Sequence, residues 1–157
     1  MKLPDSVVPL LKQVASKHKL PLELWEAENG HRIMDAFFEL AAELERSDLE
    51  ADRLPKGYLI LSLLFCWESA CQFEAWNAFA WQRDRLGAIL EAFDTVGLQS
   101  EAAALKLAHA AWQRNKEDHA GIVEAYCSVQ GNLGESERLE YLTDYFCSHA
   151  AELFYEP

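Results

Sequence analysis

The sequence predicts an all-α domain, on three observations. Apolar residues recur at helical spacing along the whole chain, as in Ile33, Phe37, Leu40, Ala41 and Leu44. No run of alternating β-branched residues occurs, and no Asn-Gly or Asp-Gly turn joins two such runs. Only 7 Gly and 5 Pro interrupt 157 residues, half of them hydrophobic and a quarter charged, which excludes disorder, collagen-like repeats and a disulfide mini-scaffold. A chain of this length buries roughly 70% of the surface its unfolded form exposes, enough for one domain over 1–157.

The elements follow in order. The first helix is expected after a Ser6 cap, with Val7, Val8, Leu11 and Val14 inward and Pro9 tolerated in the first turn, where backbone N–H groups lack partners. Lys19-Leu20-Pro21 closes it. Asn29-Gly30 reads as a break, Ile33 to Leu44 as the second helix, and Glu45 to Arg53 followed by Pro55 as a charged linker. The third helix is expected from about Lys56 to Phe79, apolar nearly all round at its start and therefore the central element, enclosed by the others.

Leu86, Ile89, Leu90, Phe93 and Val96 mark a fourth helix, ended by Gly97, which is free to take positive φ. Ser100 is expected to cap a fifth, with Glu101 in its first turn and Ala104, Leu105, Ala108 and Trp112 along its apolar stripe. A sixth spans roughly Asp118 to Val129 and stops at Gln130-Gly131-Asn132-Leu133-Gly134, the clearest turn in the chain. The last starts near Ser136 and carries Leu139, Leu142, Phe146, Ala150 and Leu153 in one arc. The expected fold is thus a single-domain bundle of six or seven helices.

Charge and targeting narrow the function. With 14 Lys and Arg against 26 Asp and Glu, the net charge of −12 opposes direct binding of nucleic acid or anionic lipid and suits a basic protein partner. The longest apolar stretch, Tyr58 to Trp67, falls well short of the ~20 residues of a membrane helix. Met1-Lys2-Leu3-Pro4-Asp5 opens no secretory signal, and Cys66, Cys71, Cys127 and Cys147 form no Cys-x-x-Cys pair, so reduced thiols in the cytoplasm are expected.

Enzyme signatures are sparse. No Gly-x-Ser-x-Gly or Walker-type loop occurs, and Cys66 and Cys71 sit in an apolar helical pattern where cysteine behaves as a small hydrophobe. A di-metal bundle needs two Glu-x-x-His motifs, and only Glu28-Asn-Gly-His31 fits. No two of the five histidines stand at i,i+4, so no cofactor or metal is assigned. The alternative to a binding module is a helical-bundle metal enzyme gathering His109, His119 and His149 across helices, or a small-ligand binder with an aromatic pocket.

Two surface signals remain. Aromatics crowd 65–81, and Phe73, Trp76, Asn77 and Trp81, where the pattern turns polar, are candidates for a pocket or dimer seam. Acidity concentrates late: residues 117–157 hold nine acids and one base, and Glu137, Glu140, Asp144 and Glu152 face away from the Leu139/Phe146 stripe with only Arg138 to offset them. These four acids are the candidate partner-binding face.

The stretch Ala88-Ile-Leu-Glu-Ala-Phe-Asp-Thr-Val-Gly97-Leu-Gln-Ser-Glu-Ala-Ala-Ala-Leu-Lys-Leu-Ala108 resembles the hairpin of a bacterial family of small acidic all-helical proteins that includes a DNA-mimic protein. Tyr145-Phe146 and Phe154-Tyr155 resemble its aromatic C-terminal helix. Where that family has Asn-Gly-Gly-Phe, this chain has Ala70-Cys71-Gln72-Phe73, so only Phe73 carries over. The resemblance implies an all-α homodimer whose acidic surface engages a DNA-binding regulator.

Overall fold

Residues Leu61 to Glu68 are buried without exception, and the other helices are laid about this segment. The computed structural model describes all 157 residues. Seven helices of nine residues or more and two single-turn helices enclose one cluster of 37 buried hydrophobic residues, from Val7 to Phe154. None is long and apolar enough to cross a membrane.

Helix α1 (Val8–His18) has Val7, not Ser6, at its cap position, and no side chain caps it. Val7 is fully buried, and its N–H reaches Pro4 O at 3.1 Å, so the entering turn serves the core and leaves Ser6 in solvent. Lys19 closes the helix in the left-handed region at φ 55°, as the Lys-Leu-Pro stop predicts. Helix α2 (Gly30–Arg46) starts at the expected break, where Asn29 Oδ1 accepts from Arg32 N–H at 3.1 Å. Asn29 thus makes the Glu28–His31 segment a helix cap.

Helix α3 (Lys56–Glu74) is the central element, but it ends five residues before the expected Phe79. Ala75 turns the backbone to φ 49°, ψ −130°, a 3-10 turn follows over Ala75–Asn77, and a single-turn helix α4 (Ala78–Trp81) leads through Arg83–Arg85 into α5 (Leu86–Thr95). The turn folds Phe79 back under the bundle. There it meets Trp67 at 5.4 Å and Trp112 at 5.7 Å between ring centroids.

Gly97, at φ 87°, joins α5 to α6 (Gln99–Arg114) as expected, and Tyr141 Oη donates to Val96 O at 2.6 Å across this joint. Helix α6 begins one residue ahead of Ser100, which therefore lies inside the first turn and caps nothing. Helix α7 (His119–Cys127) is capped by Asp118, whose Oδ1 accepts from Gly121 N–H at 3.1 Å, and it ends two residues short of Val129. Gly131, at φ 84°, carries the turn into α8 (Glu135–Ser148).

The last expected helix is in fact two. The chain breaks at His149, and α9 (Ala150–Leu153) changes direction so that Phe154 stacks on Trp25 at 4.3 Å. Tyr58 Oη donates to Phe154 O at 3.1 Å, and Trp25 Nε1–H donates to Tyr155 Oη at 3.2 Å. At the other end of the contact, a Cβ on Gly57 would lie 2.5 Å from the Leu153 carbonyl oxygen, so only glycine allows α9 to seat on α3. In sum, α3 packs on α2, α5 and α9, α2 also meets α1 and α8, and α6 packs on α5 and α7.

Ala75 holds a positive φ that an L side chain adopts at a cost. Ala75→Gly is expected to raise the unfolding free energy by ~1 kcal/mol in urea denaturation. A loss of stability would mean that the Ala75 methyl group packs more favourably than its backbone is strained.

Candidate functional site

Two of the concave sites on the bundle flank the α3 terminus, and the turn at Ala75 divides the aromatic run between them. Trp76 goes to one side and Phe73 and Trp81 to the other. Asn77 is exposed and lines neither. The four residues therefore do not line a single pocket, because the backbone turns at Ala75 in their midst.

The first site is a cavity of about 360 Å³ between α3, α6, α7 and the start of α8. Trp67, Trp76, Leu105 and Tyr126 supply its apolar walls, and Glu101 and Arg138 its charges. The Trp76 and Tyr126 rings stand 5.5 Å apart at 59°, forming a corner. At the rim, Gln72 Nε2 donates to Glu135 Oε1 at 3.0 Å, linking the end of α3 to the start of α8.

Beneath the cavity lies an ionic network. Arg138 donates from Nε and Nη2 to the two oxygens of Glu68, the latter at 2.7 Å, with side chains only 10% and 1% exposed. Nη1 reaches Leu133 O at 3.5 Å and stands 3.9 Å from Glu101 Oε1. Tyr126 Oη donates to Glu101 Oε2 at 2.6 Å. Two buried carboxylates thus share one guanidinium.

Burial raises the Glu101 pKa, although Arg138 and the Tyr126 hydroxyl pull it the other way. Burial opposes the Arg138 charge, but the hydrogen bonds and charge of Glu68 outweigh it and hold the guanidinium protonated. Burial, reinforced by Glu68, pushes the Cys71 thiol up, and burial with Glu45 nearby takes Cys66 to about 11. Neither thiol is an activated nucleophile. All four cysteines are free.

The second site is a shallower groove of about 260 Å³ between α2 and the end of α3. Phe38 and Phe65 form its floor, and Phe73 and Trp81 stand at its sides, 83% and 72% exposed. Glu45 and Glu74 border it. Arg85 donates to Glu45 Oε1 at 2.6 Å, and Cys66 Sγ donates to Glu45 Oε2 at 3.4 Å.

Glu137, Glu140 and Asp144 are exposed along α8, and Glu152 is exposed on α9, beyond the break at His149. The four acids therefore do not lie along one straight helix. Arg138, expected to offset them on the surface, is turned inward to Glu68, so the outer face of α8 is more acidic than the sequence implies. His109, His119 and His149 are not gathered, because no three His, Cys, Asp or Glu side chains come together to hold a metal ion. His109 instead lies against Phe79 at 4.9 Å, where burial lowers its pKa, and His149 stacks on Tyr145 at 4.3 Å.

Glu68, Glu101, Tyr126 and Arg138 are the residues the sequence leaves unmarked as a site. Two signals point to them: Glu68 is the first charge after the uncharged run Gly57 to Trp67, and Arg138 is the single Lys or Arg in the acidic last 41 residues. Neither a family model, nor a curated sequence, nor a solved structure matches the chain.

Removing Arg138 leaves Glu68 buried without a counter-charge, so Arg138→Met is expected to cost ~3–5 kcal/mol in chemical denaturation. Glu68→Gln added to it recovers part of that loss; no recovery would mean that Arg138 acts through packing alone. The raised Glu101 pKa makes the folded state bind a proton more readily than the unfolded chain, so this site's stability contribution falls as pH rises from near 4.5 through the raised value. Glu101→Gln is expected to gain melting temperature relative to the parent as pH rises from near 4.5 through the raised Glu101 pKa, whereas a pH-independent difference would deny the shift.

Proposed function

We propose that the protein is a non-enzymatic protein-binding module, and that its partner presents a basic surface with apolar ground beside it. The observation that carries this reading is the pair Phe73 and Trp81, left 83% and 72% exposed on one groove between Glu45 and Glu74. Burying a large aromatic side chain is worth ~1.5–3 kcal/mol, and Trp is enriched at the centres of interfaces. Two such rings held in solvent by an otherwise well-buried fold support an anchoring role.

The acids supply attraction and orientation. Glu137, Glu140 and Asp144 lie on exposed α8, whose first residue Glu135 meets Gln72, the neighbour of Phe73 in the chain. The start of the acidic helix thus reaches the end of α3, while Glu140 and Asp144 lie beside Gly30 and His31 at the start of α2. Electrostatic complementarity of this kind chiefly raises the rate of encounter and selects among partners.

The resemblance of the α5–α6 hairpin to the acidic family supports a more specific proposal: a homodimer that engages a basic DNA-binding regulator in the manner of a DNA mimic. Charge density bears on it quantitatively. From Glu137 to Asp144 is about 10 Å along the helix axis, over which a DNA duplex carries about six charges. Three exposed acids on one α8 are half that density, and a second copy alongside would bring it level.

Affinity capture from native extract at about 50 mM and about 500 mM salt separates the two contributions, since salt screens exposed charges and leaves apolar contacts. Reversal of Glu137, Glu140 and Asp144 to Lys is expected to abolish capture of a basic partner at low salt. Phe73→Ala with Trp81→Ala is expected to weaken capture at both salts. Retention of the same partner by both variants would sink the proposal.

A further inference from the structure

We propose that the cavity beneath Trp76 is a binding site for a small organic ammonium ion with an apolar body. This is independent of the protein-binding reading, since the cavity and the Phe73/Trp81 groove lie on opposite sides of the Ala75 turn. At about 360 Å³ the cavity falls within the ~300–1,000 Å³ of small-molecule sites. Its walls are mostly apolar, with three aromatic rings and Leu105 among them.

Charge decides the class of ligand. Arg138 spends its Nε and Nη2 on Glu68, and its remaining nitrogen turns to Leu133 O and stands 3.9 Å from Glu101, beyond hydrogen-bonding range. Glu101 lines the cavity and is only 4% exposed, yet its one hydrogen bond comes from Tyr126 to Oε2. Oε1 accepts no hydrogen bond from the protein and pairs with Arg138 only at 3.9 Å. With Glu101 ionised, the buried network of Glu68, Glu101 and Arg138 is one positive charge short of neutrality, and Glu135 adds another negative charge at the rim.

A ligand ammonium supplies both what Oε1 lacks, a proton donor, and what the network lacks, a positive charge. The Trp76 and Tyr126 faces, meeting at 59°, reinforce this, because the negative faces of aromatic rings attract cations within ~6 Å. A carboxylate ligand would meet Glu101 and Glu135. A neutral isostere would fill the apolar walls but leave the network negative. The elevated Glu101 pKa fits a site awaiting a cation, since the ionised carboxylate is what burial currently disfavours. The groups that face Glu101 from α3, α7 and α8 are Glu68, Cys71, Tyr126 and Arg138.

Phenethylamine, phenethyl alcohol and hydrocinnamate make a matched cationic, neutral and anionic series for calorimetry and tryptophan fluorescence on the full chain. The amine is expected to bind at least ~tenfold more tightly than the alcohol, with hydrocinnamate weakest. Glu101→Gln is expected to erase the preference for amine over alcohol while the alcohol still binds, and Trp76→Ala, at the half-buried mouth, to weaken both. Equal binding of amine and alcohol, hydrocinnamate binding best, or no response to the amine at ~10 mM would overturn the proposal.

Discussion

The Glu68–Arg138 pair is the constraint from which the arrangement of the bundle follows. Glu68 sits on the most enclosed helix of the fold, and transferring an unpaired carboxylate there costs several kcal/mol. Only a charge delivered from another element can offset that, and α8 delivers it with two parallel hydrogen bonds. An apolar stripe such as Leu139, Leu142 and Phe146 would tolerate small slides of α8 over α2 and α3. A bidentate ion pair does not. The pair fixes where α8 lies, and with it the turn at Gly131 and the Leu133 carbonyl that completes the guanidinium's contacts.

A second consequence is chemical. Once Arg138 is committed to Glu68, Glu101 on α6 has only a distant share of it and the Tyr126 hydroxyl. The fold therefore keeps a partly compensated carboxylate beside three aromatic rings, an environment that a packed core normally avoids. The strained Ala75 backbone lies on the wall of the same cavity. The strained backbone and this carboxylate meet in one place, while the opposite end of α3, at Tyr58 and Phe154, is closed by complementary rings and a satisfied carbonyl.

Much of the fold was legible in the sequence, for a definite reason. Periodicity reports which face of a helix is buried, and the stripes of α2, α5, α6 and α8 are strong enough to locate each helix. Gly97 and Gly131 mark turns because positive-φ conformations favour glycine, and Pro21 in Lys-Leu-Pro marks the first stop because it cannot continue a helix. Ala75 marks nothing, since alanine is the best helix former and its reversal is imposed by tertiary packing of Phe79. The break at His149 is hidden in the same way, because Ala150 and Leu153 continue the stripe of α8. The candidate site was less legible. Trp76 and Trp81 stand out in the sequence, yet their separation depends on that unmarked turn, and Arg138 reads as a surface residue because a lone base among acids suggests solvation.

Gly57 has a quieter role than these charges. Its missing side chain forms a notch one residue wide in an otherwise bulky helix, and the Leu153 carbonyl fits into it. Moved one turn along α3, α9 would meet Ile60 or Leu61, both of which carry side chains on the same face. The final segment can thus be placed in one register only, and the alignment of Phe154 over Trp25 is decided by an absence of atoms on the helix opposite.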